Sequence, residues 1–120
     1  MRTDAIAEIL SDLNGSSGDI EASAVVSLDG LMMASLLPSD VDEDRVAAMS
    51  AALLALGERT AKELERGHLN QILIQGSNGY VIMTEAGQEA VLTVMTKKEA
   101  KLGLVFLDIS RAAKELARIL

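Results

Sequence analysis

The sequence predicts an α/β fold: one five-stranded antiparallel sheet with helices on both faces, in the order α-β-β-α-β-β-β-α. Apolar residues recur at helical spacing in three stretches, and five shorter stretches alternate or run apolar as strands do. Short glycine-bearing connections, Asp29-Gly30, Gly76-Ser77-Asn78-Gly79 and Ala86-Gly87-Gln88, separate neighbouring strands and imply antiparallel pairing. A long proline-free stretch, residues 42–66, separates the second strand from the third, so those two need not be neighbours in the sheet.

The first helix is expected over residues 4–14, where Ile6, Ile9, Leu10 and Leu13 share a face. Thr3 or Asp4 caps its start, and Gly15 is placed to end it. The Gly15-Ser16-Ser17-Gly18 run follows a helix and precedes a strand. A phosphate-cradling loop has the reverse order, so this one reads as a linker. Residues 20–28 form the first strand, with Ile20, Ala22, Ala24, Val26 and Leu28 on one face. Asp29-Gly30 turns the chain into a second strand over 31–37, which Pro38 breaks.

The long helix follows over 42–66, with Asp40 and Glu43 spaced as a capping box and Gly67 at its end. Three strands are expected over 69–75, 80–85 and 89–96. The last helix runs from about residue 98 to 120, burying Leu102, Val105, Ile109, Ala112, Leu116 and Ile119.

Composition narrows function. The 120 residues suit a single domain spanning 1–120. Apolar residues make up 49%, which excludes disorder, and Tyr80 and Phe106 are the only aromatics, so the core is aliphatic. Met32, Met33, Met49, Met83 and Met95 serve as gap-fillers in such a core. Cysteine is absent and His68 is the single histidine, which removes disulfides, thiolate metal sites and cysteine nucleophiles. The net charge of −7 argues against nucleic acid and anionic membranes as partners. The chain shows no signal core and no spanning run, so a cytoplasmic protein without membrane insertion is expected.

On the long helix, Val46, Met49, Leu53, Leu56, Thr60 and Leu64 share a narrow stripe that is expected to pack on the sheet. The opposite side carries Asp44, Ala47, Ala51, Leu54, Ala55, Glu58, Lys62 and Glu65. Helix propensity accounts for alanines there but not for Leu54. A second covered face is therefore expected, with Ala47, Ala48, Ala51, Leu54 and Ala55 admitting another helix at close range.

These residues carry a resemblance. The run from Ala51 to Leu64 resembles the central helix of the roadblock (dynein light chain) family. The Val26–Leu31 hairpin, Asn78-Gly79-Tyr80 and the Ala100–Val105 segment agree with it. The resemblance spans about residues 4–120 and implies a profilin-like or longin-like fold. It also implies a homodimer made by pairing third strands edge to edge, which assigns Gln71, Leu73 and Gln75 to the interface, with the long helices side by side on one face. A second roadblock protein in place of the identical copy is the alternative. Members of the bacterial GTPase-regulator type, which include a gliding-motility GTPase-activating protein, accompany small Ras-like GTPases. The resemblance therefore implies a partner of that kind, with Arg45, Glu58, Arg59 and Lys62 as candidate contacts.

The chemistry in the sequence is sparse. His68 has no cysteine or second histidine to work with and reads as a boundary residue. Asp40, Asp42, Glu43 and Asp44 lack the spacing and central glycine of a calcium loop, and suit a helix amino terminus. Lys97, Lys98 and Lys101 read as a solvated basic group. No catalytic residue, cofactor or metal is expected. The leading reading is a non-catalytic interaction module that activates or scaffolds a GTPase. A small-molecule sensor is the alternative, although two aromatics leave little to shape a pocket, and a hydrolase has the least support.

Overall fold

The computed structural model describes residues 2–120. The elements are α1 (Arg2–Ser16), β1 (Ile20–Ser27), β2 (Met32–Leu36), α2 (Glu43–Glu63), β3 (Ile72–Gly76), β4 (Gly79–Ala86), β5 (Ala90–Lys97) and α3 (Leu102–Ile119). All pairings are antiparallel and the sheet order is β2-β1-β5-β4-β3. The strands joined by α2 are thus the two sheet edges. Four strand spacings, about 19 Å, separate them, and a helix of α2's 21 residues is about 31 Å long, enough to cross.

The two faces are covered unequally. On one, α1 and α3 pack side by side and close the larger core, with Ile6, Leu10, Val25, Ile82, Leu92, Ile109 and Leu116 buried. On the other, α2 lies alone over a small cluster of Leu54, Met83 and Val91. Ser50 and Thr93, both buried beneath α2, satisfy one another with a 2.9 Å hydrogen bond.

Two glycines hold this arrangement. Gly79 has φ +150°, and a Cβ there would lie 2.0 Å from the Thr96 carbonyl oxygen, so only glycine lets β4 start against β5. Gly57 sits inside α2, where a Cβ would come within 2.7 Å of Ile72 Cδ1. A helix-interior glycine costs about 1 kcal/mol relative to alanine; here it lets α2 lie close to the entry of β3.

Several expectations are corrected. Gly15 does not stop α1, which runs on to Ser16. Ile20 does not share a face with Ala22, Ala24 and Val26. The β1–β5 register shifts between Ile20 and Ala22, and this bulge turns Ile20 to the α1–α3 side with Val25. The α2 cap is Asp42 rather than Asp40: Asp42 Oδ1 accepts from the Arg45 N–H at 3.1 Å. Its other end comes before Gly67. Glu65 takes φ +55°, its N–H bonds to the Lys62 carbonyl, and the Arg66 N–H reaches the Ala61 carbonyl at 2.7 Å. This is a Schellman closure with glutamate in the place glycine usually holds. β3 begins at Ile72 rather than 69, because the Asn70 carbonyl is taken by the Thr84 hydroxyl before ladder pairing starts. α3 begins at Leu102 rather than near 98.

The largest correction is the facing of α2. Ala47 and Leu54, each 1% exposed, are buried against the sheet together with Ser50. They are not on an outward face, and a charge at Leu54 would enter the protein's own core. Met49, Leu56 and Leu64, expected to face the sheet, are 51%, 61% and 64% exposed. The physical reason is size. The sheet beneath α2 presents Ala22, Ala24, Val26 and Val91, so a helix offering alanine, serine and glycine at 47, 50, 57 and 61 approaches closely. The bulkier side chains are left at its flank.

Candidate interaction surface

One helix cannot cover a five-stranded sheet, and α2 leaves open the part of its face nearest β3. The floor there is Ile72 and Ile74 of β3, Val81 of β4 and Met95 of β5. These point to the α2 side because Ile72 pairs with Met83, Ile74 with Val81 and Val81 with Met95. The wall is the flank of α2: Val46, Met49 and Leu53, then Leu56, Thr60 and Leu64. Two adjoining hollows of about 260 Å³ and 400 Å³ make up this trough. Ile74 and Leu73 are exposed, so the trough opens onto a sheet edge that no other described strand covers. Exposed apolar residues scattered singly are ordinary, but a continuous apolar trough beside an open edge marks an interaction site.

The expected site residues fall into three groups. Ala47 and Leu54 lie beneath α2, as described above. Ala48 and Ala51 flank the β1–β2 turn: a Cβ on Gly30 would lie 3.7 Å from the Ala48 Cα and 3.9 Å from the Ala51 Cβ. Ala48 and Ala55 are exposed and Ala51 is half-buried, and none of the three lines the trough. Gln71 precedes β3, while Leu73 and Gln75 lie on it and pair with Ile82 and Tyr80. These put the two side chains on the α1–α3 side of the edge.

Arg45, Glu58, Arg59 and Lys62 are all exposed on α2. Arg59 Nε donates to Glu63 Oε1 at 2.9 Å, one turn on. Sequence reasoning left Met49, Leu56, Ile72, Ile74, Val81 and Met95 out of the site. The signal was present: residues 47, 50, 54, 57 and 61 recur at spacings of three and four and are small apart from Leu54. That is the pattern of a closely packed seam.

Electrostatics set the corners. Asp19 accepts from the Lys101 backbone N–H at 2.9 Å and pairs with Lys97 Nζ at 3.2 Å. The backbone bond first, and Lys97 second, hold its carboxyl below the ordinary value. Glu85 behaves oppositely: burial, then the neighbouring Glu58 carboxyl, push it up. Among the described residues no group of three or more histidine and acidic side chains is placed to hold a metal ion. No described helix is long and apolar enough to cross a membrane.

The uncharacterized protein MJ1340 of Methanocaldococcus jannaschii is 41% identical over 111 residues, covering 92% of this chain and 96% of the relative. The gliding protein MglB of Thermus thermophilus superposes with a TM-score of 0.87 at 25% identity, over 98% of this chain and 90% of that one. A structure of MglB with a tetrameric arrangement gives 0.88 at 26% identity, over 98% and 89%. The family model of the Roadblock/LC7 domain matches residues 6–96. From α1 through most of β5, and so including α2 and the trough, this chain belongs to the Roadblock/LC7 family.

Proposed function

We propose that this protein is a homodimeric interaction module that binds and regulates a small Ras-like GTPase. The observation that carries the reading is the apolar trough beside α2, open to the β3 edge. Antiparallel pairing of two β3 edges relates the copies by a two-fold axis normal to the sheet. That axis keeps both α2 helices on one face and brings each apolar flank over the other copy's floor. Met49, Leu53 and Leu56 then become buried along with Ile72 and Ile74, and Gln71, Leu73 and Gln75 lie along the joined edge.

The paired helices leave Arg45, Arg59 and Lys62, with Ala48 and Ala55, as a surface for the GTPase. Family membership and the likeness to the gliding protein MglB support a regulatory role, and the MglB tetramer supports self-association. A regulator on this plan need not supply a catalytic group, since it can reposition the GTPase's own. The protein acts in the cytoplasm, where such GTPases work.

Light scattering at micromolar concentration tests the assembly. The wild type is expected at twice the chain mass. Leu56→Asp and Met49→Asp are expected to keep native circular dichroism and fall to the chain mass. Variants that stay dimeric would sink the trough as the interface. Affinity capture from native extract, scored for a nucleotide-loaded small GTPase, tests the partner, and its absence from the wild-type eluate would count against it.

A further inference from the structure

α1 and α3 lie side by side on the face of the sheet opposite α2, and they run in opposite directions. The Ser16 hydroxyl, at the end of α1, donates to Asp108 Oδ2 in the first half of α3 at 3.3 Å. At the other end, Arg2 pairs with Glu89 and Ala117 lies against Gly87, so the start of α1 and the end of α3 both meet the β4–β5 turn.

The buried stripes fix what the two helices show to solvent. With Ile6, Leu10 and Leu13 inward, α1 turns Asp4, Glu8 and Asp12 outward, one turn apart and all exposed. With Val105, Ile109, Ala112 and Leu116 inward, α3 turns Arg111, Lys114 and Arg118 outward, all exposed. Leu104 and Leu107 begin the same row and are 57% and 62% exposed. An acidic row therefore lies beside a basic one. The separation of charge extends to the whole chain: residues 97–120 hold six of its eleven basic residues and three of its eighteen acidic ones.

The antiparallel arrangement brings the rows into register. Asp12 and Arg111 line one small hollow between the helices. From there both rows advance in steps of about 4.5–6 Å, which sets Glu8 level with Lys114 and Asp4 level with Arg118. Among the described residues, Glu8, Asp12, Lys114 and Arg118 enter no ion pair within the chain. Arg111 stands 3.7 Å from Asp108, whose side chain lies low in the seam at 18% exposure.

We propose that the α1–α3 face is a second self-association surface, on which another copy of this chain lays its acidic row along the basic row of the first. A two-fold axis parallel to the helices and above their seam carries α1 of each copy over α3 of the other, and it keeps every residue at its own level along the axis. Asp4, Glu8 and Asp12 of each copy then meet Arg118, Lys114 and Arg111 of the other. Leu104 and Leu107 pass over the other copy's α1 end, where nothing lies within 4 Å of a Cβ built on Gly15 or Gly18. Turning the axis across the helices would set like charges on one another, so the rows select one arrangement. The footprint, roughly 22 Å by 20 Å, is small for a specific interface, so the contact is weak and fills at high protein concentration. It lies on the other face of the sheet from α2 and away from the β3 edge, so it does not depend on the dimer proposed above and can join such dimers together.

Sedimentation equilibrium of the full chain at physiological salt tests it. At that salt the repulsion between net charges of −7 is screened beyond about 8 Å, whereas pairs in contact are not. Two charge-reversed variants are compared with the wild type: Glu8→Lys with Asp12→Lys, and Lys114→Glu with Arg118→Glu. The first makes both rows basic and the second makes both acidic, while exposed positions leave native circular dichroism in each. The wild type is expected to pass to larger assemblies as concentration rises. Each variant alone is expected to lose that step, with association weakened at least about tenfold. The first variant has less net negative charge than the wild type, so its loss cannot come from overall repulsion. An equimolar mixture of the two is expected to regain the step, because a basic α1 then meets an acidic α3. Leu107→Ser, which leaves the charges alone, is expected to weaken the same step. A wild type that goes no further than the variants, variants that associate as the wild type does, or a mixture that regains nothing would overturn the surface. The mass at which the variants stop, one chain or two, decides the β3 dimer separately.

Discussion

α2 and α3 are both long amphipathic helices on the same sheet, yet their apolar residues serve different ends. In α3 the most apolar stripe is the buried one: Val105, Ile109, Ala112 and Leu116 face α1 and the sheet. In α2 the small residues are buried and much of the bulky apolar set is left at the flank. The difference lies in how each face of the sheet is shared. α3 divides its face with α1, so together they cover it and large side chains fill the space between three surfaces. α2 is alone and lies close to a sheet surface rich in alanine and valine. Its large side chains stay at the flank, where with the open floor of the sheet they form a continuous apolar surface of the kind that marks an interaction site.

The ends of the two helices differ as well. α2 caps itself, with Asp42 at its start and the Schellman turn at its finish. α3 has no side-chain cap of its own. The N–H of Lys101 is instead met by Asp19, which lies 82 residues earlier beyond the end of α1. The negative charge also suits the helix amino terminus.

The largest expected effect tests the faces. Leu54→Asp places a carboxylate in the closed α2–sheet contact, and a loss of at least about 4 kcal/mol is expected from lost packing and buried charge. That is a large share of the roughly 5–15 kcal/mol that holds a typical domain folded, so circular dichroism should show an unfolded or heavily destabilised chain. A folded Leu54→Asp monomer would mean that α2 buries the opposite side.

Asp19→Asn tests the borrowed cap. A carboxyl held below its ordinary value contributes stability that is fully present above about pH 3.9 and is lost as pH falls through the lowered native value. The variant should therefore melt below the wild type at neutral pH, and the two curves should converge in acid. Parallel curves down to the acid limit would show that the charge of Asp19 does not hold α3.

The smallest effect tests the self-made end. Glu65 is the one described non-glycine residue with positive φ, a conformation costing about 1 kcal/mol that glycine avoids. Glu65→Gly should gain roughly 0.5–1 kcal/mol, or about 4 °C in Tm. A lower Tm would show that the glutamate side chain makes up for its backbone.

The order of elements, the glycine turns and the inner stripe of α3 could be read from the chain because each is set within a few residues. Asp29-Gly30 needs only its own backbone to turn, and the spacing from Val105 to Leu116 defines a face wherever the helix lies. The third strand was legible as a strand and, through resemblance, as an edge. Its start was placed three residues early because the Thr84–Asn70 bond that delays pairing joins distant segments.

What the sequence by itself determined is the set of elements, their antiparallel turns and the absence of cysteine chemistry, all local or compositional properties. What only the tertiary structure decided is which side of α2 is the inside, the bulge that separates Ile20 from Ala22, and the cap that Asp19 lends to α3. Each depends on contacts between segments remote in sequence, and α2 shows it most clearly. Hydrophobicity along a helix says that two faces differ, but the inner one is chosen by fit. Fit depends on the size of the side chains across the contact, here Ala22, Ala24 and Val91, which are near in space and remote in sequence.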